Sequence, residues 1–269
     1  MIHFWKMNGA GNDFVMLDNR TLRYQLSKEQ IAALCDRHRG VGADGLLAVE
    51  PAENGADFRM RYYNADGGEA EMCGNGARCF ARFANMLGGW NMERVSFETP
   101  AGVIGATYHG DNVRIAMSEP HSLRLSLSLD VTGTPLTVHS VNTGVPHAVV
   151  VVDDLENVPV VKWGAALRYH TEFQPKGTNA NFMKVTPEGI SIRTYERGVE
   201  DETLACGTGM VACALVHHLL TGAASPVKVK VRGGDTLEIG FEKSGDTFRN
   251  VTLTGPADIV FEGEIKLPA

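Results

Sequence analysis

Two cysteine motifs stand out because a thiol at a glycine-rich helix start can exchange protons. One motif is Glu69 to Phe80 (EAEMCGNGARCF) and the other is Glu202 to Cys213 (ETLACGTGMVAC). In each, a cysteine follows a glutamate by four residues and precedes Gly-x-Gly and a helix-like segment. The N–H groups and dipole at a helix N-terminus favour anions, so we expect each thiol pKa to fall below its free value of about 8.5. The same N–H groups can hold a carboxylate.

The spacing of the two thiols predicts a duplicated fold. Cys73 and Cys206 are 133 positions apart, almost half of the 269 residues. Two thiols facing one site suit proton abstraction next to a carboxylate: one thiolate removes the proton and the opposing thiol returns one, inverting the configuration. Helix-end N–H groups would stabilise the enolate-like charge by roughly 3 to 4 kcal/mol per donor, and no metal or pyridoxal cofactor is then required.

The repeat extends beyond the cysteines to the elements that must position them. Gly9 to Asp18 lies over Gly144 to Asp153, and each stretch is a turn-rich loop that feeds a short apolar strand. Phe58 to Asn64 and Ile190 to Glu196 alternate as strands do, and each ends in a polar residue shortly before its cysteine motif. Helical spacing of apolar residues then predicts one central helix in each half, over residues 77–87 and 210–220.

The ends of the repeat predict two domains. Ser118-Glu-Pro and Thr254-Gly-Pro occupy equivalent positions. We therefore predict an N-terminal half formed by residues 1–117 plus 258–269 and a C-terminal half formed by residues 118–257. Ile259 to Leu267 is expected to be an extra strand that returns to the sheet of the first domain. A further helix is expected from Ser27 to Arg39, with Ser27 as its N-cap.

Composition narrows the class of protein. Hydrophobic residues make up 43% of the chain and the net charge is -7, so a nucleic-acid backbone or an anionic membrane is not an expected partner. The longest apolar run, Ala148 to Val152, is too short to span a bilayer, and we expect a cytoplasmic protein with a small-molecule site. Without CxxC or HxxxH pairs, zinc is not expected. The odd number of cysteines predicts reduced thiols, with three in the core: Cys35, Cys79 and Cys213.

Other polar residues near the motifs could serve the two thiols. His147 and Glu196 are candidate partners, one for each cysteine, and Arg197 could clamp a carboxylate. The same patterns fit blander roles, since His147 could cap a turn and Arg197 could form an exposed salt bridge. Asparagine is common in glycine-rich turns for local reasons, and that alternative applies to Asn12, Asn64 and Asn179.

Four segments together resemble the diaminopimelate epimerase family: KMNGAGNDF, YNADGGEAEMCGNGARC, GTNANF and YERGVEDETLACGTG. The resemblance covers the full length. It implies an α/β (α+β) fold of two pseudo-symmetric domains, each a mainly antiparallel sheet wrapped around a central helix, assembled as a homodimer. It also implies cofactor-independent interconversion of LL- and meso-diaminopimelate, in the biosynthesis of lysine and of peptidoglycan precursors.

The resemblance also implies roles for individual residues. Cys73 and Cys206 match the acid–base pair, assisted by His147 and Glu196. The positions that match substrate-binding residues are Asn12, Asn64, Asn179, Glu196 and Arg197, with helix-end donors at Gly74, Asn75, Gly207 and Thr208. Two positions depart from many members, which have glutamine in place of Gly45 and asparagine in place of Val145, so some polar contacts to the substrate are missing.

Three other functions compete with this interpretation. A proline or hydroxyproline racemase uses the same paired thiols, but Arg197 favours a substrate with a distal carboxylate. A hydrolase with a Cys206–His147 dyad does not explain why the cysteine motif occurs twice. A binding module that holds a dicarboxylate between two helix ends would bind ligand without exchanging the Cα proton.

Overall fold

The computed structural model describes residues 1–70 and 72–267 and forms two compact units. The N-terminal unit contains Met1–Ile115 and the segment that begins at Gly255, and the C-terminal unit is Ala116–Thr254. That each unit corresponds to one epimerase half, with boundaries at 117 and 257, stays a prediction. In chain order the elements are β1 (Ile2–Gly9), β2 (Asn12–Asp18), α1 (Lys28–Cys35), β3 (Gly45–Pro51), β4 (Phe58–Asn64), α2 (Gly74–Leu87), β5 (Arg94–Thr99), β6 (Gly102–His109), β7 (Asn112–Ala116), β8 (His121–Val131), β9 (Thr134–Asn142), β10 (Pro146–Val151), α3 (Val160–Arg168), a 3₁₀ turn (Thr171–Phe173), β11 (Asn179–Thr186), β12 (Gly189–Glu196), β13 (Asp201–Thr203), α4 (Gly207–Thr221), β14 (Val227–Lys230), β15 (Thr236–Ser244), β16 (Thr247–Pro256) and β17 (Asp258–Ile265).

The sheet of the N-terminal unit runs β17-β1-β2-β3-β4-β5-β6-β7. Its pairs are antiparallel except β2–β3 and β4–β5, which are parallel. Helix α2 contacts β1, β2, β3, β5 and β6 and buries Phe80 and Phe83 completely. Burying aromatic side chains of this size contributes about 1.5–3 kcal/mol each, so α2 is the centre of this core.

The C-terminal unit repeats this plan. Its sheet runs β8-β9-β10-β11-β12-β14-β15-β16, again antiparallel except for two parallel pairs, β10–β11 and β12–β14. Helix α4 contacts β9, β10, β11, β12, β14 and β15. The two units therefore share one order of strands and one succession of strand directions, which confirms the predicted pseudo-symmetric α/β fold with a central helix in each domain.

Both central helices begin earlier than predicted, because the Gly-x-Gly segment is itself their first turn. Helix α2 starts at Gly74 and α4 at Gly207, rather than at residues 77 and 210. Glycine is required in this turn where the helix meets a neighbour closely. A Cβ on Gly209 would lie 2.4 Å from Asn181 Oδ1 and 3.3 Å from Cys206 Sγ.

Helix α1 begins as predicted but ends four residues early. Ser27 Oγ accepts the Gln30 N–H and Gln30 Oε1 accepts the Ser27 N–H, so the expected capping box is present. The helix stops at Cys35 because the next residue, Asp36, turns the chain: its Oδ1 accepts the N–H groups of His38 and Arg39 at 2.7 and 2.8 Å.

The first segment is a hairpin, where the sequence predicted a loop feeding one strand. Strands β1 and β2 are antiparallel, and the turn between them places Ala10 and Gly11 at positive φ, 60° and 94°. Strand β1 also pairs with β17, from Ile2 opposite Ile265, which confirms that the C-terminal segment returns to this sheet.

Helix α3 was not predicted, because its sequence carries a glycine at its centre and no side-chain cap. Tertiary packing explains that glycine. A Cβ on Gly164 would lie 2.4 Å from the Cβ of Tyr195, so only glycine lets α3 approach β12 this closely. None of the described helices is long and apolar enough to cross a membrane.

Candidate active site

Each motif cysteine is the N-cap of a central helix. Cys73 and Cys206 have extended backbones, with φ of −136° and −127°. The first intrahelical hydrogen bonds come from Ala77 N to Cys73 O at 2.8 Å and from Met210 N to Cys206 O at 2.9 Å. In each helix, the residues between the cysteine and this first donor have N–H groups without a carbonyl partner inside the helix. They include Gly74, Asn75, Gly207 and Thr208.

Polar side chains surround the start of α2 in the N-terminal unit. Asn75 Nδ2 donates to Asn12 Oδ1 at 2.6 Å, and Asn12 Nδ2 donates to Asp44 Oδ2 at 2.9 Å. The fully buried Arg78 donates from Nη2 to Asn75 Oδ1 at 3.0 Å. The structure thus joins two predicted residues, Asn12 and Asn75, and adds two that sequence reasoning missed, Asp44 and Arg78.

Asn64 lies apart from this network, exposed at the end of β4 and opposite Gly45 on β3. The surroundings of Gly45 leave no room for a side chain. A Cβ at this position would lie 2.5 Å from the Tyr63 carbonyl oxygen and 2.9 Å from the Tyr62 ring. Glutamine would not fit here without a backbone shift.

His147 is the centre of the corresponding network in the C-terminal unit. Its imidazole is buried, with Nε2 2.9 Å from Thr208 Oγ1 and 3.5 Å from Asn179 Nδ2. The other ring nitrogen, Nδ1, lies 3.0 Å from Asn181 Nδ2. The His147 side chain therefore hydrogen-bonds to the start of α4. A histidine that only capped a turn would not need this contact.

The two networks follow one plan. Asn12 and His147 occupy equivalent strand positions, and each contacts the residue two places after its cysteine, Asn75 or Thr208. Asp44 in one unit and Asn179 in the other complete the equivalence. The repeat in the sequence could have revealed Asp44, because Asp44 and Asn179 are 135 positions apart, as are Asn12 and His147.

Cys206 has the opposite acidity from that expected of a helix-end thiol. Burial, and next the Glu196 carboxylate hydrogen-bonded to it, raise the pKa of Cys206 well above its ordinary value. Hydrogen bonds from Thr208 and the Gly209 N–H act in the other direction but are outweighed. The prediction of a lowered pKa is wrong for this residue, because burial in the C-terminal unit destabilises the thiolate more than the helix N-terminus stabilises it.

Glu196 is held beside Cys206 at the end of β12. The Thr203 hydroxyl donates to its Oε1, and burial raises the pKa of the Glu196 carboxyl although the bonds from Thr203 and Cys206 oppose that change. The Glu196 carboxyl is in hydrogen-bond contact with the thiol of Cys206 and is placed to act as its proton partner. The structure thus assigns Glu196 to Cys206, a pairing that the sequence left open.

Arg197 is half-buried and approaches the same cluster through its backbone. Its N–H donates to Asn179 Oδ1 at 2.7 Å, and its Nη1 donates to the Lys176 carbonyl at 3.1 Å. The alternative of an exposed salt bridge is not observed, since no ion pair within residues 1–70 and 72–267 includes Arg197. A guanidinium has five N–H donors, so donors remain for a carboxylate ligand.

Burial, and next the charge of Arg197, lower the pKa of His147 to about 3. The imidazole is therefore neutral at neutral pH. The folded pKa lies below the ordinary value of 6.5, so the unfolded chain binds the proton more readily. The stabilisation is complete above pH 6.5 and is lost as the pH falls toward 3.

We therefore expect the free energy of unfolding to fall between pH 6.5 and 4.5, with His147 contributing a slope of at most about 1.4 kcal/mol per pH unit. Urea denaturation at several pH values measures this slope. A His147→Gln variant should have a smaller slope, and equal slopes in the two proteins would contradict the assignment.

A cavity of about 340 Å³ in the C-terminal unit opens beside His147, with Arg124 and Lys176 on its wall. Its size suits a small-molecule ligand. A second cavity of about 360 Å³, beside Trp5 and Arg20, is lined by none of the predicted site residues. Across residues 1–70 and 72–267, no group of three or more His, Cys, Asp or Glu side chains is placed to hold a metal ion.

The three cysteines predicted to be core residues are buried. Burial raises the pKa of Cys35 to about 11 and that of Cys79 to about 12, and it raises the pKa of Cys213 as well. These thiols are therefore protonated at neutral pH and pack as small apolar side chains.

The chain as a whole is similar in sequence to one protein family. The sequence profile of the diaminopimelate epimerase family matches residues 4–123 and 139–260. The diaminopimelate epimerase of Aquifex aeolicus (strain VF5) is 45% identical over 98% of both chains. That of Chlorobaculum tepidum is 44% identical over 97% of this chain and all of the relative.

A solved structure shares the fold at much lower identity. A hydroxyproline epimerase from Agrobacterium vitis, crystallised with bound trans-4-hydroxy-L-proline, superposes with a TM-score of 0.72. The match covers 98% of this chain and 90% of that chain, at 14% identity. At such low identity the likeness shows a common fold.

Proposed function

Since the chain belongs to the diaminopimelate epimerase family, we propose that it interconverts LL- and meso-diaminopimelate by moving a proton at one α carbon between two thiols. One observation above all supports this mechanism. Each cysteine motif forms the start of a central helix, where N–H groups have no carbonyl partner within the helix, and each has a polar partner at an equivalent position.

The acidity of Cys206 supports one order for the two proton transfers. Cys206 rests as a thiol, because burial and Glu196 raise its pKa. Cys73 is then the base: its thiolate takes the α proton, and the electron pair of the broken C–H bond delocalises into the substrate carboxylate. A new C–H bond forms on the opposite face with the proton of Cys206, leaving Cys73 as a thiol and Cys206 as a thiolate. Glu196 and His147 assist these transfers.

The remaining predicted residues would bind the substrate. The helix-end N–H groups of both motifs would hold the carboxylate at the reacting carbon and stabilise its developing charge. The charge of Arg197 would pair with the distal carboxylate. The side chains proposed to complete the binding site are Asn12, Asn64, Asn179 and Glu196.

Proton NMR in D2O tests this function. With purified protein and LL-diaminopimelate under reducing conditions, we expect the α-proton signal to decay and the meso isomer to appear. A persistent α-proton signal would remove diaminopimelate as the substrate, and proline and hydroxyproline should then be tried under the same conditions.

A hydrolase with a Cys206–His147 dyad has less support. The Thr208 hydroxyl contacts both residues, at 2.9 Å from His147 Nε2 and 3.6 Å from Cys206 Sγ. Burial and Glu196 also raise the pKa of Cys206, which disfavours the thiolate that a nucleophile needs. Retained hydrolysis in a Cys73→Ala variant would revive this candidate.

We further propose that the protein is a cytoplasmic homodimer that binds a small molecule and no nucleic acid. All five cysteines are thiols rather than halves of disulfides, which suits a reducing compartment. Strand β17 carries consecutive exposed apolar side chains at Ile259, Val260 and Phe261, with 37, 58 and 47% of their surfaces exposed. Contiguous exposed apolar residues on a strand support an interface.

Phe261→Lys is expected to convert the dimer to a monomer, because it places a charge within this apolar segment. Sedimentation equilibrium measures the mass. Val103→Lys, at an exposed apolar position on β6, is the matched control and should keep the dimer mass. A wild-type protein that is monomeric at micromolar concentration would contradict the proposal, as would a dimer that survives Phe261→Lys.

A further inference from the structure

Asn181 lies behind His147, on the side of the ring away from Thr208. Its side chain is fully buried and makes three hydrogen bonds. Nδ2 lies 2.9 Å from the Ala148 carbonyl oxygen and 3.0 Å from His147 Nδ1, and Oδ1 accepts from the Thr194 hydroxyl at 3.0 Å. These contacts constrain which way the buried amide is turned.

The Ala148 carbonyl fixes that orientation, because a carbonyl oxygen can only accept. The Asn181 atom that faces it must be the amide nitrogen, and the second proton of this nitrogen points at His147 Nδ1. Nδ1 is therefore an acceptor, and the proton of the neutral imidazole is on Nε2. Asn179 also turns its amide nitrogen to Nε2, but at 3.5 Å that contact is weaker.

The position of this proton decides what Thr208 can do for Cys206. When Nε2 carries the proton, it donates to Thr208 Oγ1 at 2.9 Å, and the hydroxyl proton of Thr208 is directed at Cys206 Sγ, 3.6 Å away. When Nδ1 carries the proton, Nε2 becomes an acceptor and takes the hydroxyl proton of Thr208 for itself. The sulfur then loses a donor.

We propose that Asn181 is a positioning residue that holds His147 in the Nε2–H tautomer, so that His147 and Thr208 together donate a hydrogen bond to Cys206. This inference rests on the proposed function and refines it. The hydrogen bond matters most after Cys206 has given up its proton, when its sulfur carries a negative charge in a buried site.

An Asn181→Asp variant tests the proposal, because a carboxylate of the same shape cannot donate to Nδ1. We expect Nδ1 to become protonated and Nε2 to lose its proton. Nitrogen NMR of histidine-labelled protein distinguishes protonated from unprotonated ring nitrogens, and the His147 signals are assigned by their loss in His147→Gln. We expect kcat to fall about 10- to 100-fold, less than the roughly 100- to 10,000-fold loss of a general acid–base group itself because Asn181 acts through His147, with KM changed less than about threefold.

Thr194→Val is the matched control. It removes an equally buried hydrogen bond from Asn181 Oδ1 but leaves both bonds of Nδ2. We expect a lower unfolding temperature, an unchanged tautomer, and kcat within about threefold of the wild type. Asn181→Ala serves if the aspartate variant does not fold, and a mixture of the two tautomers is then expected.

Several outcomes would overturn the proposal. An Nε2–H signal that persists in Asn181→Asp, or in Asn181→Ala at full strength, removes Asn181 from control of the tautomer. An inverted tautomer with unchanged kcat shows that the tautomer does not matter. Wild-type protein with the Nε2–H signal but no turnover of diaminopimelate would overturn the proposed function instead, while the placement of the proton by Asn181 would stand.

Discussion

Replacing either Cys73 or Cys206 by alanine is expected to lower the rate of epimerisation by about 1000-fold or more, since each variant lacks one of two groups that exchange the proton. The variants should differ from an inactive protein in one respect. The remaining thiol can still remove the α proton from the isomer whose C–H bond faces it and return a deuteron to the same face. Proton NMR in D2O should therefore record slow exchange without inversion, in a different isomer for each variant.

A buried thiol on the same helix provides the control. Cys213 lies seven residues beyond Cys206 in α4, and burial raises its pKa as well. Cys213→Ala should keep epimerisation within a few-fold of the wild type. The two-thiol mechanism is untenable if Cys73→Ala still forms the meso isomer at a rate near that of the wild type.

Glu196→Gln is expected to lower kcat by about 100-fold or more, because the proton partner of Cys206 is removed. It should also lower the pKa of Cys206, since the negative charge that opposes ionisation is gone. Burial persists in the variant, so the pKa should stay above the ordinary value. Ultraviolet absorbance of the thiolate, with the Cys206→Ala spectrum subtracted, follows the titration.

Glu202→Gln is the matched control, because it also neutralises a carboxylate on the same stretch of chain. Glu202 pairs with Arg193 at 2.7 Å and is not among the groups that shift the Cys206 pKa. We expect reduced stability and an unchanged titration of Cys206. If both variants shift the titration equally, the effect belongs to net charge and Glu196 has no special role.

The duplication was readable from the sequence because it depends on local patterns. Glycine after cysteine, alternating strands and apolar helical spacing recur at offsets of 132 to 135 positions, and the structure confirms one strand order in both units. Helix α3 was missed for a physical reason. Gly164 lowers the local helix propensity. The compensating contact with Tyr195 is tertiary, so the neighbouring sequence does not predict it.

The acidity of Cys206 shows a second limit of sequence reasoning. A helix N-terminus is visible in the sequence, and it favours the thiolate. Burial of the sulfur and the contact with Glu196 oppose that effect and are stronger, but both arise only when β12 and α4 come together. Asn181 was missed in the same way, although its alternation with Asn179 in GTNANF places both side chains on one face of β11.

The return of β17 to β1 has a consequence for synthesis on the ribosome. Ile2 pairs with Ile265, so the sheet of the N-terminal unit cannot be completed until residue 265 has emerged from the ribosome. The C-terminal unit, Ala116–Thr254, is continuous and contains all of its own central strands. During translation the unit made second can finish folding first, while β1 waits as an unpaired edge for the last strand.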